Sequence, residues 1–136
     1  MIKIKDSIVW GIYVYEFNLK LNTNSVPYQL TFERDFYHPR TNVHLLNLFG
    51  VEDNDSYCSD TRLTIFECFK SFFNANPDEI AYFELDMSHK RNFYKFMKFF
   101  RWAECFPDYT FSTEFTDIAN VKYAMVSISK NKEEKE

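Results

Sequence analysis

Two stretches near the start of the chain alternate between apolar and polar residues, which is typical of half-buried β-strands. In residues 8–21 the apolar positions share one face of the predicted strand: Tyr13, Tyr15, Phe17, Leu19 and Leu21. Tyr28, Leu30 and Phe32 alternate with polar residues in the same way. The intervening Asn22–Ser25 consists of residues that favour turns. The pattern therefore predicts a β-hairpin.

The middle of the chain predicts two more strands and a helix. Residues 37–42 read as a loop, and Val43–Phe49 is compatible with a third strand. The acidic residues 52–60 predict an exposed loop that leads into a helix, capped by Ser59 or Asp60 and ending near Asn74. The wide apolar side of this helix comprises Leu63, Phe66, Phe69, Phe72 and Phe73. Residues 79–86 are nearly all apolar at their centre, as in a strand buried on both faces.

Residues 88–102 predict a second helix with one apolar and one basic face. At 100° per residue, four residues form the apolar face: Phe93, Phe96, Met97 and Phe100. The opposite arc, which we call the basic arc, contains Lys90, Arg91, Tyr94, Lys95, Lys98, Arg101 and Trp102. Ser88 is a suitable N-cap.

The last strands complete a predicted α+β fold. Residues 109–115 and 121–129 predict a second hairpin, and residues 130–136 predict a disordered charged tail. We therefore expect a single α+β domain over residues 1–129, in the order β-β-(β)-α-β-α-β-β. Its mostly antiparallel sheet of five to six strands would carry two helices packed on one face.

Charge is distributed unevenly along the chain. The protein has 136 residues and a net charge of −4. Residues 88–103 carry five Lys or Arg and no acid, so they contribute +5 and the remainder carries −9. This balance argues against general nucleic-acid binding by the whole surface, but it permits a local basic patch. The three cysteines are odd in number and lack C-x-x-C spacing, which indicates reduced thiols in a cytoplasmic protein.

The basic arc is the strongest candidate binding surface in the sequence. Lys and Arg opposite an apolar face are most often a solvated face whose stems cover apolar surface. However, His89, Lys90 and Arg91 stand in the first turn, where the helix dipole disfavours positive charge. We therefore also consider an anion site at this helix N-terminus, formed by Ser88, His89 and Arg91.

Motifs for catalysis, metals and cofactors are absent from the sequence. The three histidines form no H-x-x-x-H pair, and the acidic loop does not follow the calcium-loop pattern. The chain has two glycines, too few for a phosphate-binding loop. We accordingly expect no cofactor, no metal, no catalytic residue and no membrane segment, and favour a protein that is not an enzyme.

Several short motifs resemble a family of small uncharacterised bacterial proteins, a domain of unknown function. The matching residues are Thr64-Ile65, Phe72-Phe73, Asp86-Met87-Ser88, Arg91 and Phe99-Phe100-Arg101-Trp102. Where the family has a glycine before the basic helix residue, this chain has His89-Lys90. The resemblance implies the α+β layout and a bacterial or mobile-element cytoplasmic setting, and it supplies no catalytic residue.

Three hypotheses for function follow from these patterns. The first is a non-enzymatic protein-binding or regulatory module that uses the basic arc, as in toxin–antitoxin or phage–host systems. The second is a nucleic-acid-binding protein or small ribonuclease that uses the same arc, with Tyr94 and Trp102 stacking on bases. The third is an acidic inhibitor of phage or mobile-element origin that mimics nucleic acid. The sequence leaves the oligomeric state open.

Overall fold

The computed structural model describes residues 3–21, 24–49, 59–90, 101, 104 and 106–131. These residues form seven strands and one helix: β1 (Lys5–Val9), β2 (Ile12–Leu21), β3 (Asn24–Arg34), β4 (Val43–Phe49), α1 (Ser59–Ala75), β5 (Ile80–Asp86), β6 (Tyr109–Ile118) and β7 (Val121–Lys130). All seven strands belong to one sheet with the order β1-β2-β3-β4-β5-β7-β6. The β4–β5 pair is parallel and the other five pairs are antiparallel.

The predicted fold class is wrong, because the described residues form a seven-stranded, mostly-sheet fold with one helix instead of five to six strands with two helices. One extra strand arises because residues 8–21 are not continuous. A two-residue turn at Trp10 and Gly11 separates β1 from β2, and both residues have positive φ, 53° and 78°. Apolar residues continue through this turn, so the alternation did not reveal it. The central part of the second predicted helix, residues 91–100, lies outside the described residues.

Both predicted hairpins are confirmed by the strand pairing. β2 pairs with β3, and β6 pairs with β7. Ala119 and Asn120 join the second hairpin, and both have positive φ. Two residues with positive φ are the signature of a type I′ turn, whose twist matches that of the flanking strands. Lys130 is the last residue of β7, and residues 132–136 of the predicted tail lie outside the described residues.

The core lies between α1 and one face of the sheet. Phe66, Phe69, Phe72 and Phe73 of α1 are fully or almost fully buried, as predicted. Leu63 was predicted to join them but is half-exposed, while Ile65 and Cys68 are buried. At 100° per residue, Leu63 lies well away from the centre of the face formed by the buried phenylalanines. Phe32 of β3 meets this face and stacks on Phe72 with ring centroids 4.0 Å apart.

The end of α1 is held against the sheet by Asn76. Its backbone N–H and its side-chain Nδ2 both donate to the carbonyl of Phe72, at 2.9 and 3.0 Å. Tyr13 of β2 donates a hydrogen bond to Asn76 Oδ1 at 3.3 Å. These bonds satisfy polar groups that a helix end leaves without intrahelical partners. They fix the connection from α1 to β5 at the same end of the sheet as the β1–β2 turn.

The second face of the sheet is only partly covered by described residues, and we call it the open face. β5 was predicted to be buried on both faces, but only Ala81, which faces α1, is fully buried. Tyr82 is half-buried on the open face, and Glu84 on the same face is exposed. The prediction failed because four apolar residues in a short run do not distinguish one covered face from two.

Candidate binding surface

The structure describes four of the residues predicted to bind a partner. Ser88, His89, Lys90 and Arg101 are all exposed. The other five predicted binding residues lie outside the described part of the chain: Arg91, Tyr94, Lys95, Lys98 and Trp102. The basic arc therefore stays a prediction.

Ser88 and His89 of the predicted anion site are both directed at Asp86. The Asp86 Oδ1 atom accepts hydrogen bonds from the Ser88 backbone N–H at 2.9 Å and from its hydroxyl at 2.5 Å. His89 Nε2 lies 3.6 Å from Asp86 Oδ2. The hydrogen bonds from Ser88 hold the pKa of Asp86 below its usual value. Asp86 thus accepts the hydrogen bonds that Ser88 would otherwise donate to an external anion. This geometry is typical of an aspartate that stabilises a loop.

Three large aromatic side chains protrude at one end of the sheet, and we call this group the aromatic loop end. Trp10 in the β1–β2 turn is 96% exposed, and Phe36 and Tyr37 in the β3–β4 loop are 84% and 100% exposed. Both connections lie at the same end because β2 begins where β3 finishes, as the Tyr13–Phe32 pairing shows. The centres of the two hairpins are two strand spacings apart, about 10 Å. The three rings can therefore contact one partner surface.

The β3–β4 loop is fixed by Asp35. Its Oδ1 atom accepts the Tyr37 backbone N–H at 3.0 Å, and its Oδ2 atom accepts a hydrogen bond from the Tyr82 hydroxyl. The Asp35 N–H donates to the Val43 carbonyl at 2.9 Å. The bond from Tyr82 is the main reason why the pKa of Asp35 is low, while burial and then this bond raise the pKa of Tyr82. An ionised Asp35 thus holds the loop in the shape that presents Phe36 and Tyr37.

A shallow groove of about 400 Å³ on the open face begins at Trp10, and we call it the open-face trough. Val14 of β2 and Thr31 of β3 are opposite each other and form its buried floor. Glu16 of β2 and Glu33 of β3 line it and are exposed. Among the described residues that line the trough, none is basic. The trough therefore combines an acidic rim with a floor of one valine and one threonine side chain.

A buried histidine and a partly buried glutamate lie on the other face, below the aromatic loop end. His44 of β4 is 5% exposed and contacts the edge of Phe72. Its Nδ1 atom and Glu79 Oε2 are buried without a hydrogen-bond partner in the described part of the chain. Glu79 Oε1 lies 3.9 Å from Arg34 Nη2. Burial lowers the pKa of His44, so its imidazole is kept neutral.

Two potentially reactive side chains of the described residues, His44 and Cys68, are buried in the core. His44 is covered by the core, and burial raises the pKa of the Cys68 thiol to about 12, so neither is an accessible base or nucleophile. Within the described ranges, no three His, Cys, Asp or Glu residues are grouped so that they could hold a metal ion. In the same ranges no helix is long and apolar enough to cross a membrane.

Sequence reasoning did not identify the aromatic loop end. One signal was available: the tryptophan precedes one of only two glycines, and a residue-glycine pair between apolar stretches is typical of a two-residue hairpin turn. Phe36 and Tyr37 gave no signal, because their exposure depends on the bond between Asp35 and Tyr82, which are 47 residues apart.

Comparisons with known proteins identify no relative. No protein-family model, no curated protein and no solved structure matches this chain. The proposal for function therefore depends on the geometry of the molecule itself.

Proposed function

We propose that this protein is a non-enzymatic protein-binding module that recognises its partner through the aromatic loop end. Exposed aromatic rings supply large contact areas with few rotatable bonds, and Trp and Tyr are enriched among residues that dominate binding energy at protein interfaces. Three such rings, each at least 84% exposed, lie on neighbouring connections of one sheet. Large exposed apolar patches on soluble proteins mark interaction sites.

The single observation that carries the proposal is the conformation of Trp10. Its φ of 53° is unfavourable for a bulky residue, and its side chain is 96% exposed. Asparagine or glycine would suit this position of a type I′ turn better. Trp10 therefore contributes strain and almost no packing to the folded chain. Strained residues that make no internal contact are concentrated at functional sites.

The basic arc is a second proposed contact area for the same partner. Lys90 and Arg101, which flank residues 91–100, are exposed. Lysine and arginine side chains at an interface mainly accelerate association and raise specificity. We also propose a cytoplasmic setting, which the buried reduced thiol of Cys68 supports.

The test compares partner capture by the wild-type protein and by a Trp10→Ser, Phe36→Ser, Tyr37→Ser triple variant. We expect the triple variant to lose capture of the specific partner by at least about tenfold, because anchor residues often contribute 2 kcal/mol or more each. Its unfolding free energy should change little, since exposed side chains typically contribute about 0.5 kcal/mol or less.

The control replaces two exposed apolar residues elsewhere, Leu63→Ser and Ile118→Ser, which are 50% and 59% exposed. This variant should capture the partner as the wild-type protein does. Nuclease treatment of the extract separates a protein partner from a nucleic-acid bridge. Equal capture by the triple variant, or capture that nuclease abolishes, would contradict the proposal.

A further inference from the structure

The charge and the length of the open-face trough indicate the kind of ligand that it can bind. Its rim carries the carboxylates of Glu16 and Glu33, and its floor is Val14 and Thr31. Trp10 closes one end with an exposed π-face. Lys5 of β1 is the cross-strand neighbour of Glu16, but the two form no ion pair within 4.0 Å. Both carboxylates are thus placed to receive positive charge from outside.

The spacing of the two carboxylates follows from the strand register. Glu16 pairs with Gln29, and Glu33 is four residues further along β3 on the same face. Four strand residues at about 3.4 Å each, with one strand spacing across, separate the two positions by about 14 Å. Val14 and Thr31 lie halfway between them, since they form the pair two residues from each. The trough therefore presents acidic, small apolar and acidic sites in a line.

We propose that the open-face trough binds an extended segment of a partner protein with basic side chains at positions i and i+4 and a small apolar side chain at i+2. This inference rests on the proposed protein-binding function and names the chemistry of the partner. In an extended chain, residues i, i+2 and i+4 point to one side and span about 14 Å. The basic groups meet Glu16 and Glu33, and the small side chain covers Val14 and Thr31.

Trp10 extends the same recognition beyond the acidic rim. A lysine or arginine near the face of a tryptophan ring is attracted by the quadrupole of the ring. The charge of the trough also agrees with the distribution of charge in the chain, whose portion outside residues 88–103 carries −9. A basic partner segment would therefore be steered toward this face at low salt.

The experiment titrates isotope-labelled full-length protein with the synthetic peptide Ac-Thr-Lys-Thr-Val-Thr-Lys-Thr-NH₂ and follows backbone amide signals by NMR. We expect saturable shifts centred on Val14 and Thr31, with an affinity that falls as salt is added. A peptide of the same composition with lysines at i and i+3 should bind at least about fivefold more weakly, because its lysines point to opposite sides. A peptide with glutamine in place of lysine should bind at least about tenfold more weakly.

Matched protein variants separate the trough from the general charge of the protein. Glu16→Gln with Glu33→Gln should weaken binding of the lysine peptide by at least about tenfold. Glu84→Gln with Glu114→Gln makes the same change in net charge at exposed positions on β5 and β6, and should leave affinity within about twofold. Lys5→Gln should tighten binding, because it removes a positive charge that repels the peptide lysine at Glu16.

Several outcomes would overturn the inference. One is that the Glu16 and Glu33 double variant binds the lysine peptide as tightly as the wild-type protein, or that the Glu84 and Glu114 double variant weakens binding by the same factor. Another is that the NMR shifts are centred away from β2 and β3. A third is that the lysine peptide does not bind at millimolar concentration. Loss of partner capture by the aromatic triple variant would then still support the proposed function alone. Retained capture by that triple variant, with specific peptide binding in the trough, would instead contradict the role of the aromatic loop end.

Discussion

Replacing Phe32 by alanine should lower the free energy of unfolding by about 3–5 kcal/mol, the range found for fully buried phenylalanines. Phe32 is 0% exposed and occupies the centre of the interface between β3 and α1. Its ring stacks on Phe72 at 4.0 Å and makes edge contacts with Phe69 and Tyr15 at 6.0 and 5.8 Å. Truncation removes these contacts and leaves a cavity that stacked rings cannot easily fill.

The measurement is urea denaturation of Phe32→Ala beside Phe36→Ala. The control makes the same chemical change four residues away, at a side chain that is 84% exposed. It should alter the unfolding free energy by about 0.5 kcal/mol or less. Equal denaturation midpoints for the two variants would show that the sheet and α1 do not pack as described.

Acid should destabilise the protein through His44. Burial lowers its pKa below the usual 6.5, so below that pH the unfolded chain binds a proton that the folded chain excludes. The contribution of neutral His44 to the free energy of unfolding is therefore fully present above about pH 6.5. It decreases as the pH falls, by at most about 1.4 kcal/mol per pH unit for one proton. Glu79 favours the protonated form of His44 and Arg34 opposes it, but burial is the largest influence on its pKa.

Asp35 and Asp86 affect stability in a separate pH range. Because their pKa values are lowered in the folded protein, their contribution to stability is lost only below about pH 3.8.

His44→Leu should make the unfolding free energy nearly constant between pH 7 and about pH 5, which denaturation at several pH values can measure. Phe36→Ala is the control, since it changes an 84% exposed side chain and leaves His44 in place. That control should retain the wild-type dependence on pH. A wild-type stability that does not change over this range would rule out a neutral buried His44.

Local patterns in the sequence predicted the parts of the fold that depend on local chemistry. Alternation identified the first hairpin, two strand-like segments indicated the second, and the buried phenylalanines of α1 followed from helical spacing. Cys68 of the same helix is also buried in the core. The apolar faces predicted for the two helices include Phe66 on the first, and Phe96 and Phe100 on the second. The structure confirms that Phe66 is buried, while Phe96 and Phe100 lie outside the described residues.

Features that depend on distant contacts could not be predicted. The parallel pairing of β4 with β5 joins segments separated by α1, and no local pattern specifies it. The Asp35–Tyr82 bond that shapes the β3–β4 loop is equally non-local. Predicting the open-face trough would require the register of four strands, and alternation within single strands does not give that register.

The most direct test of recognition by the aromatic loop end compares Trp10→Asn with Ala119→Asn, using the captured partner. Both residues occupy hairpin turns with nearly equal positive φ, 53° and 51°. Asparagine relieves this strain, so each variant should be stabilised by about 1 kcal/mol. We predict that Trp10→Asn weakens partner binding by at least about tenfold, while Ala119→Asn binds as the wild-type protein does. Unchanged binding by a stabilised Trp10→Asn variant would contradict the account.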